Sequence, residues 1–394
     1  MILLAVAAFA SQATVRAADT LLPQIAAEFD TTVGTASIAV AAYAVAHGGF
    51  LFAAGPIGDR FGKVRVVTLA CLASALAVLL CACAQSLFGL AVARFASGIA
   101  VAWIVPLGLA FVGDVVSEER RQQVLARYLS GQILGQLFGQ AMSGVLADHL
   151  GWRGVFFVLV GLFLFAGAAL MLVRRPAIEP KTNRSMHGLC TGYVRVLSEP
   201  WARVILIAVF FEGMLSFGVF AYVSSDLHIR FGLSFTEIGA IVALFALGGL
   251  VTAAAADVLV KRLGQVGMAI LGGLMMSSAY MVLVSPYAWW MIPPAIGAIG
   301  IGFYVFHNTL LTHATKMCPQ FRATAVSTFG TSLYLGQTAG VTVAAPFVDH
   351  LGAPVVFLAS AVFVPMLAVW LAIHLRRRCQ AEGAQMKCNL TAVR

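Results

Sequence analysis

The sequence predicts an all-α polytopic membrane protein whose twelve transmembrane helices form two six-helix pseudo-repeats. Three observations carry that prediction. The chain is 61% hydrophobic and only 10% charged, whereas a soluble domain covers its surface with about a quarter charged residues. Apolar runs of about 20 residues recur along its whole length, and that length crosses a ~30 Å hydrocarbon core as a helix. The chain also repeats itself. A shift of 201 residues, without a gap, lays Arg121 on Arg322, Leu134-Gly135-Gln136 on Leu335-Gly336-Gln337, Gly139 on Gly340, and the DHLG of 148–151 on the DHLG of 349–352.

Taken in order, the first segment runs from Met1 to near Pro23. A cleaved signal peptide is excluded, because no basic region precedes the apolar run and eleven more spanning segments follow. The abrupt start predicts that a short cytoplasmic leader precedes it. Segments 2 to 6 are read at 35–54, 66–84, 87–112, 124–146 and from the DHLGWR turn to Arg174-Arg175-Pro176. Segments 7 to 12 follow at 203–223, 236–257, 267–284, 289–312, 323–346 and 354–375. The predicted organisation is a first bundle at 1–173, a cytoplasmic linker at 174–200, a second bundle at 201–376 and a cytoplasmic tail at 377–394.

The formal charge of +9 would suit a nucleic-acid partner, but the placement of the charges speaks for a membrane. If the first segment runs outward, every Lys and Arg falls in the inner loops, the tail or the inner end of a segment (Arg127, Arg203), except Arg16 and Arg94 within segments and Arg153 and Arg230 in outer loops. That is the positive-inside asymmetry, and it places both termini in the cytoplasm of a multi-pass inner-membrane protein. No nucleic-acid partner is needed to explain the charge. The seven cysteines lack metal spacing and read as reduced structural thiols. No cofactor or metal is expected.

Between segments 2 and 3 stands Gly55 to Arg65, GPIGDRFGKVR, a cluster of charge in a chain almost free of it. It resembles the signature loop of the major facilitator superfamily, G-x-L-A-D-R-x-G-R-K-R. Gly55, Asp59, Arg60, Gly62 and Arg65 match; Ile57, Gly58 and Lys63 are mild replacements, and Val64 departs. Segment 8 ends in a worn copy with Asp257, Lys261, Arg262 and Gly264. The resemblance implies two parallel bundles that rock about a substrate site near the midplane, with segments 1, 4, 7 and 10 lining it. It also implies a conformational latch. Asp59 would face the positive N-terminus of segment 11, and the arginines Arg60 and Arg65 would pair with Asp114 at the inner end of segment 4.

Ionisable side chains inside a membrane cost several kcal/mol unless they meet a partner or a cavity, so they are functional candidates. Read from the sequence alone they are Arg16, Asp19, His47, Arg94, Glu212 and His307. Glu212 is the sharpest, midway along segment 7 with Ser216 one turn on. A carboxylate at that depth loses its hydration, so it can load and release a proton as water access alternates; a permanently protonated structural acid is the bland alternative. Gln12, Arg16 and Asp19, at i, i+4 and i+7, share one face of segment 1. Arg16 and Asp19 can pair, or snorkel to the nearby interface. Arg94 lies in LAVARFASGIAVA, which resembles the helix-4 arginine motif of proton-coupled facilitators, and Asp19 is its nearest candidate acid.

His307 and Asn308 head a polar run in segment 10. His307 and His313 lie about 240° apart around a helix and cannot share one metal. In segment 5, Gly131, Gly135 and Gly139 form a close-packing seam, with Gln132, Gln136 and Gln140 as a ladder beside it. This stretch resembles the helix-5 antiporter motif, in which Gly-Pro precedes a Gly pair. Here Gln140 follows Gly139, and Ser143-Gly144 replaces the pair.

These features resemble most the twelve-helix drug–proton antiporter branch and its sugar- and nucleoside-exporting relatives. The expected activity is secondary active export of a small molecule driven by inward proton flow, with a monomer as the default unit. A proton-coupled importer is the alternative. A phosphate-binding G-x-x-x-x-G-K-[ST] loop is absent from the sequence, so ATP is not the direct power source. An enzyme would need a convergent nucleophile–base or metal set, which these residues do not offer.

Overall fold

The computed structural model describes residues 2–172, 186–285 and 289–392. Part of the predicted linker, 174–185, lies outside the described residues. The first half begins with α1 (Ile2–Glu28), α2 (Val33–Leu51), α3 (Lys63–Ala82) and α4 (Leu87–Val115). Next come α5 and α6, which together span Glu118–Leu172 and part at Gly151, where φ is 69°. A helix at Met186–Ser198 leads into α7 (Pro200–Phe231). Then follow α8 and α9, together Phe235–Val284 and parting at Gly264, where φ is 59°. The chain ends with α10 (Ile292–Ala314), α11 (Arg322–Leu351) and α12 (Ala353–Gln380). A left-handed φ suits glycine because no Cβ clashes, which explains why each long run turns there.

Nine of these runs are long and apolar enough to cross a membrane among the described residues. Two of the nine are the double helices, and α11, more polar than the others, completes the twelve. Several predicted boundaries fall short: α7 runs to Phe231 rather than 223 and α11 to Leu351 rather than 346. α1 does not stop near Pro23 but continues to Glu28. A proline removes a single helical hydrogen bond, and the extra turn buries Ile25 and Ala26. α4 bends at Ala102–Trp103 and α7 loosens into a π-helical turn at Gly213–Gly218.

The internal repeat is a repeat of packing. On α5, a Cβ at Gly135 would overlap the Phe9 carbonyl of α1, and one at Gly139 the Ala13 carbonyl. On α11, the counterparts Gly336 and Gly340 meet the carbonyls of Phe210 and Met214 on α7 in the same way. Each pair of contacts differs by 201 in both partners. Close backbone approach of this kind is how membrane helices pack when apolar burial gives no driving force.

The two halves close on each other at the face carrying the two DHLG turns. Asp148, at the end of α5, accepts from the backbone N–H of Phe235 (3.1 Å) and Thr236 (2.7 Å), where α8 begins. Asp349, at the end of α11, accepts from Gly34 N–H (2.8 Å) and the Thr32 hydroxyl (2.7 Å), where α2 begins. A carboxylate on the N-terminus of a helix satisfies unpaired N–H groups and the helix dipole. Tyr222 of α7 adds a hydroxyl bond to Ser37 of α2 at 2.9 Å. From Ala13 to Leu22 of α1 and from Gly218 to Leu227 of α7 every residue is buried. Nearer the face that carries the termini, the same helices are partly exposed at Gln12, Phe9, Met214 and Phe210. The halves are therefore sealed at the DHLG face, and α1 and α7 are less fully buried toward the opposite one.

Candidate functional site

The polar residues that the sequence singles out collect at the junction of the sealed and open halves. Glu212 closes the regular part of α7 and is 1% exposed. Its Oε2 lies 2.9 Å from His307 Nδ1 on α10. Its other oxygen, Oε1, has no hydrogen-bond partner among the described residues. His307 stacks on Phe303 at 5.1 Å between centroids and remains partly open, its side chain 16% exposed. The π-turn that starts immediately after Glu212 inserts extra backbone into the helix, a feature that recurs at functional sites. It holds Ser216, whose carbonyl accepts from the Tyr280 hydroxyl at 3.2 Å.

Across the interface, Arg16 and Asp19 of α1 form an ion pair at 3.0 Å. Both are buried, so neither snorkels to the interface. The Arg16 guanidinium lies 3.8 Å from the centroid of the Phe217 ring on α7, a cation–π contact between the halves. Gln136 of α5 accepts from the Tyr304 hydroxyl of α10 at 3.2 Å, a second bond between them. Gln12, Gln136, Tyr304 and Asn308 are all half-buried at this level. The assembly thus offers one carboxylate–imidazole pair, one guanidinium–carboxylate pair, neutral amides and a bank of aromatic rings. Such a set combines ionisable, hydrogen-bonding and aromatic groups at one level between the two halves.

Three expected contacts are different in the structure. Arg94 is fully buried but makes no ion pair with Asp19. Its Nε donates to the Ala39 carbonyl at 3.3 Å, and its guanidinium sits over Tyr43 at 4.2 Å. Both terminal nitrogens lack partners among the described residues. Aromatic faces and a helix carbonyl here take the role assigned to an acid, because Asp19 is held by the nearer Arg16. Asp114 pairs with Lys63 rather than with Arg60 or Arg65, and Asp59 lies 3.5 Å from that same Lys63. Lys63 stands one turn along from Asp59, which lets one ammonium bridge both carboxylates. His47 packs against Tyr334 of α11 with ring centroids 4.4 Å apart and the rings tilted by 52°. No group of three His, Cys, Asp or Glu able to hold a metal is found among the described residues.

Sequence reasoning passed over Phe217, Tyr304, Asp148 and Asp349. Tyr304 sits one turn before His307, so its helical face was readable. The two aspartates stand in the repeated DHLG, whose duplication marks them as equivalent without stating which helix starts they cap.

The profile of one family, described as Major Facilitator Superfamily, matches residues 4–341 and again 231–384. The chain belongs to the major facilitator superfamily. Its curated relatives include the MFS-type transporter YceJ of Bacillus subtilis (strain 168), 26% identical over 82% of this chain and 83% of YceJ. The quinolone resistance protein NorB of Staphylococcus aureus (strain JH9) is 28% identical, over 37% of this chain and 33% of NorB. Among solved structures, the nucleoside transporter NupG (D323A mutant) has a TM-score of 0.78 at 12% identity, covering 95% of this chain and 98% of NupG. A bacterial homologue of the lysosomal transporter Spinster, inward-facing and unoccupied, reaches 0.72 at 17% identity over 95% of both chains. As a member of this superfamily the protein is a multi-pass membrane transporter with a small-molecule substrate, and not an enzyme.

Proposed function

We propose that the protein exports a small molecule across the cytoplasmic membrane in exchange for protons, by alternating access. The reading is carried by the Glu212–His307 pair, buried and half-satisfied beside the Arg16–Phe217 contact that joins the halves. A proton taken up on Glu212 removes the negative charge facing His307. Losing that proton to the open side restores the pair and leaves the site ready for substrate. The charge distribution supports placing the DHLG face outside and both termini in the cytoplasm, so the captured state faces inward. Bundle 1–173 and bundle 201–376 are the rocking units, with 174–200 as linker, and the monomer is the working unit. Asp59, Arg60, Arg65 and Asp114 form the inner latch of the opposite state, which accounts for Lys63 being the one ion-pair partner of Asp59 among the described residues in this one. Quinolone resistance, the activity in the name of NorB, supports amphipathic aromatic compounds as the first class to test.

The test uses everted membrane vesicles acidified by respiration, to which cationic dyes, quinolones, sugars and nucleosides are added one at a time. Export predicts that one compound discharges the gradient and that Glu212→Gln abolishes the response. Uptake of a labelled compound into intact cells on a proton gradient, with no discharge in vesicles, refutes the direction. That outcome would favour the second reading, a proton-coupled importer, for which the missing proline after Gly139 is the specific support.

A further inference from the structure

Outside the central site, the first half carries a cavity of about 650 Å³ that opens sideways between α3, α4 and the signature loop. That volume is in the range of ligand sites, ~300–1,000 Å³. Its floor is made of small residues on facing helices, Ala73 and Ala77 of α3 and Ala96 and Ala100 of α4. Its rim is large and apolar, with Leu76 61% exposed. Trp103 forms the wall near the signature loop and is fixed there, its indole N–H donating to the Phe50 carbonyl at 2.9 Å. Along α3 the lining runs from Arg65 to Leu80, about 22 Å of helix. One leaflet of a bilayer holds ~15 Å of hydrocarbon, so the groove accommodates a whole acyl chain laid along the helix.

One end of this groove is charged. Arg65 lines it and is exposed. Neither Arg65 nor Arg60 has a carboxylate in ion-pair range among the described residues, because Asp59 and Asp114 are both taken by Lys63. A guanidinium at the mouth of an apolar channel of acyl-chain length matches one occupant in chemistry and polarity. We propose that the α3–α4 groove binds an anionic phospholipid, its acyl chain over the alanine floor and its phosphate on Arg65. The site is separate from the central cavity and does not depend on the transport reading.

The experiment measures Trp103 quenching by brominated acyl chains, taken as the difference between the full chain and its Trp103→Phe variant. The protein is reconstituted in phosphatidylcholine vesicles containing graded dibrominated phosphatidylglycerol or dibrominated phosphatidylcholine. The expected result is half-maximal quenching at about fivefold lower mole fraction of the anionic lipid, the equivalent of about 1 kcal/mol for one basic side chain at an anionic surface. Arg65→Gln removes that fivefold preference while quenching remains. Ala77→Leu, which fills the floor, abolishes Trp103 quenching by both lipids. Equal quenching by the two lipids, or a preference that survives Arg65→Gln, overturns the proposal. So does a Trp103 shielded from both lipids in the unsubstituted protein, the result expected if a second copy of the chain covers the groove.

Discussion

Removing both DHLG carboxylates should unseal the face they close. Asp148 and Asp349 each accept two hydrogen bonds from the start of a helix in the other half. These bonds cannot persist once that face opens, so their full value favours the sealed state. Replacing a capping aspartate with alanine costs about 0.5–2 kcal/mol. Both carboxylates are exposed, and solvent screens the added dipole attraction, so about 1 kcal/mol each is the appropriate figure. Each Asp→Ala change should then shift the equilibrium about fivefold toward the open face. The two caps share no partner, so their effects add, and the double variant should shift it about thirtyfold. Asparagine caps nearly as well as aspartate, so Asp148→Asn with Asp349→Asn should move it far less. A Ser37→Cys reporter at the buried Tyr222 contact, in a chain with Cys83, Cys190, Cys379 and Cys388 changed to serine, reads the opening. Its labelling by an impermeant maleimide from the DHLG face should accelerate in the same ratios. An unchanged labelling rate in the double alanine variant would refute the assignment of these bonds as a seal.

Further outcomes follow from the same structure. Gly336→Val should lower the melting temperature by about 5 °C or more, because the Phe210 carbonyl occupies the space and cannot move without its helix; Gly49→Ala, which meets nothing within 4 Å, should be neutral. Arg16→Lys keeps the charge beside Asp19 but loses the planar stack on Phe217, and should slow the initial transport rate about fivefold at unchanged expression. Asp59→Asn should impair transport while membrane insertion stays normal, and full transport by that variant would remove the latch from the mechanism.

Much of this architecture was readable because a membrane restricts the choices. With no water to satisfy backbone groups, apolar runs of fixed length have to be helices, and the ungapped repeat pairs the halves. The glycine spacing on α5 foretold a seam, and the lone charges foretold Glu212, Arg16 and His307 as residues in need of partners. Partner choice was less legible. Arg94 looked as though it required an acid, yet Tyr43, Phe156 and a carbonyl surround it. Spacing along one helix states which side chains share a face, and it does not state which neighbouring helix that face meets. Lys63 took Asp114 for the same reason. The turn that ends at Gly62 decides which of three cations points inward, and the string of charges carries no trace of that turn.

The repeat also separates what the scaffold needs from what the chemistry needs. At the fixed offset of 201, Phe9 and Phe210 meet Gly135 and Gly336, and Ala13 and Met214 meet Gly139 and Gly340. Asp148 and Asp349 cap Phe235 and Gly34, again 201 apart. Packing and sealing are therefore duplicated almost contact for contact. The charged positions are not. Glu212 stands opposite Ser11, Arg16 opposite Phe217, and Asp19 opposite Phe220. A rocking motion about a pseudo-twofold axis requires the two seams and the two seals to be equivalent, because each state must be reachable by nearly the same displacement of either half. The proposed ion–substrate exchange would require the opposite, since identical halves would bind the same group twice. Arg16 and Phe217 occupy equivalent positions and touch each other across the interface. The two requirements meet at that contact, where a symmetric pair of sites holds a cation on one side and the aromatic face that accepts it on the other.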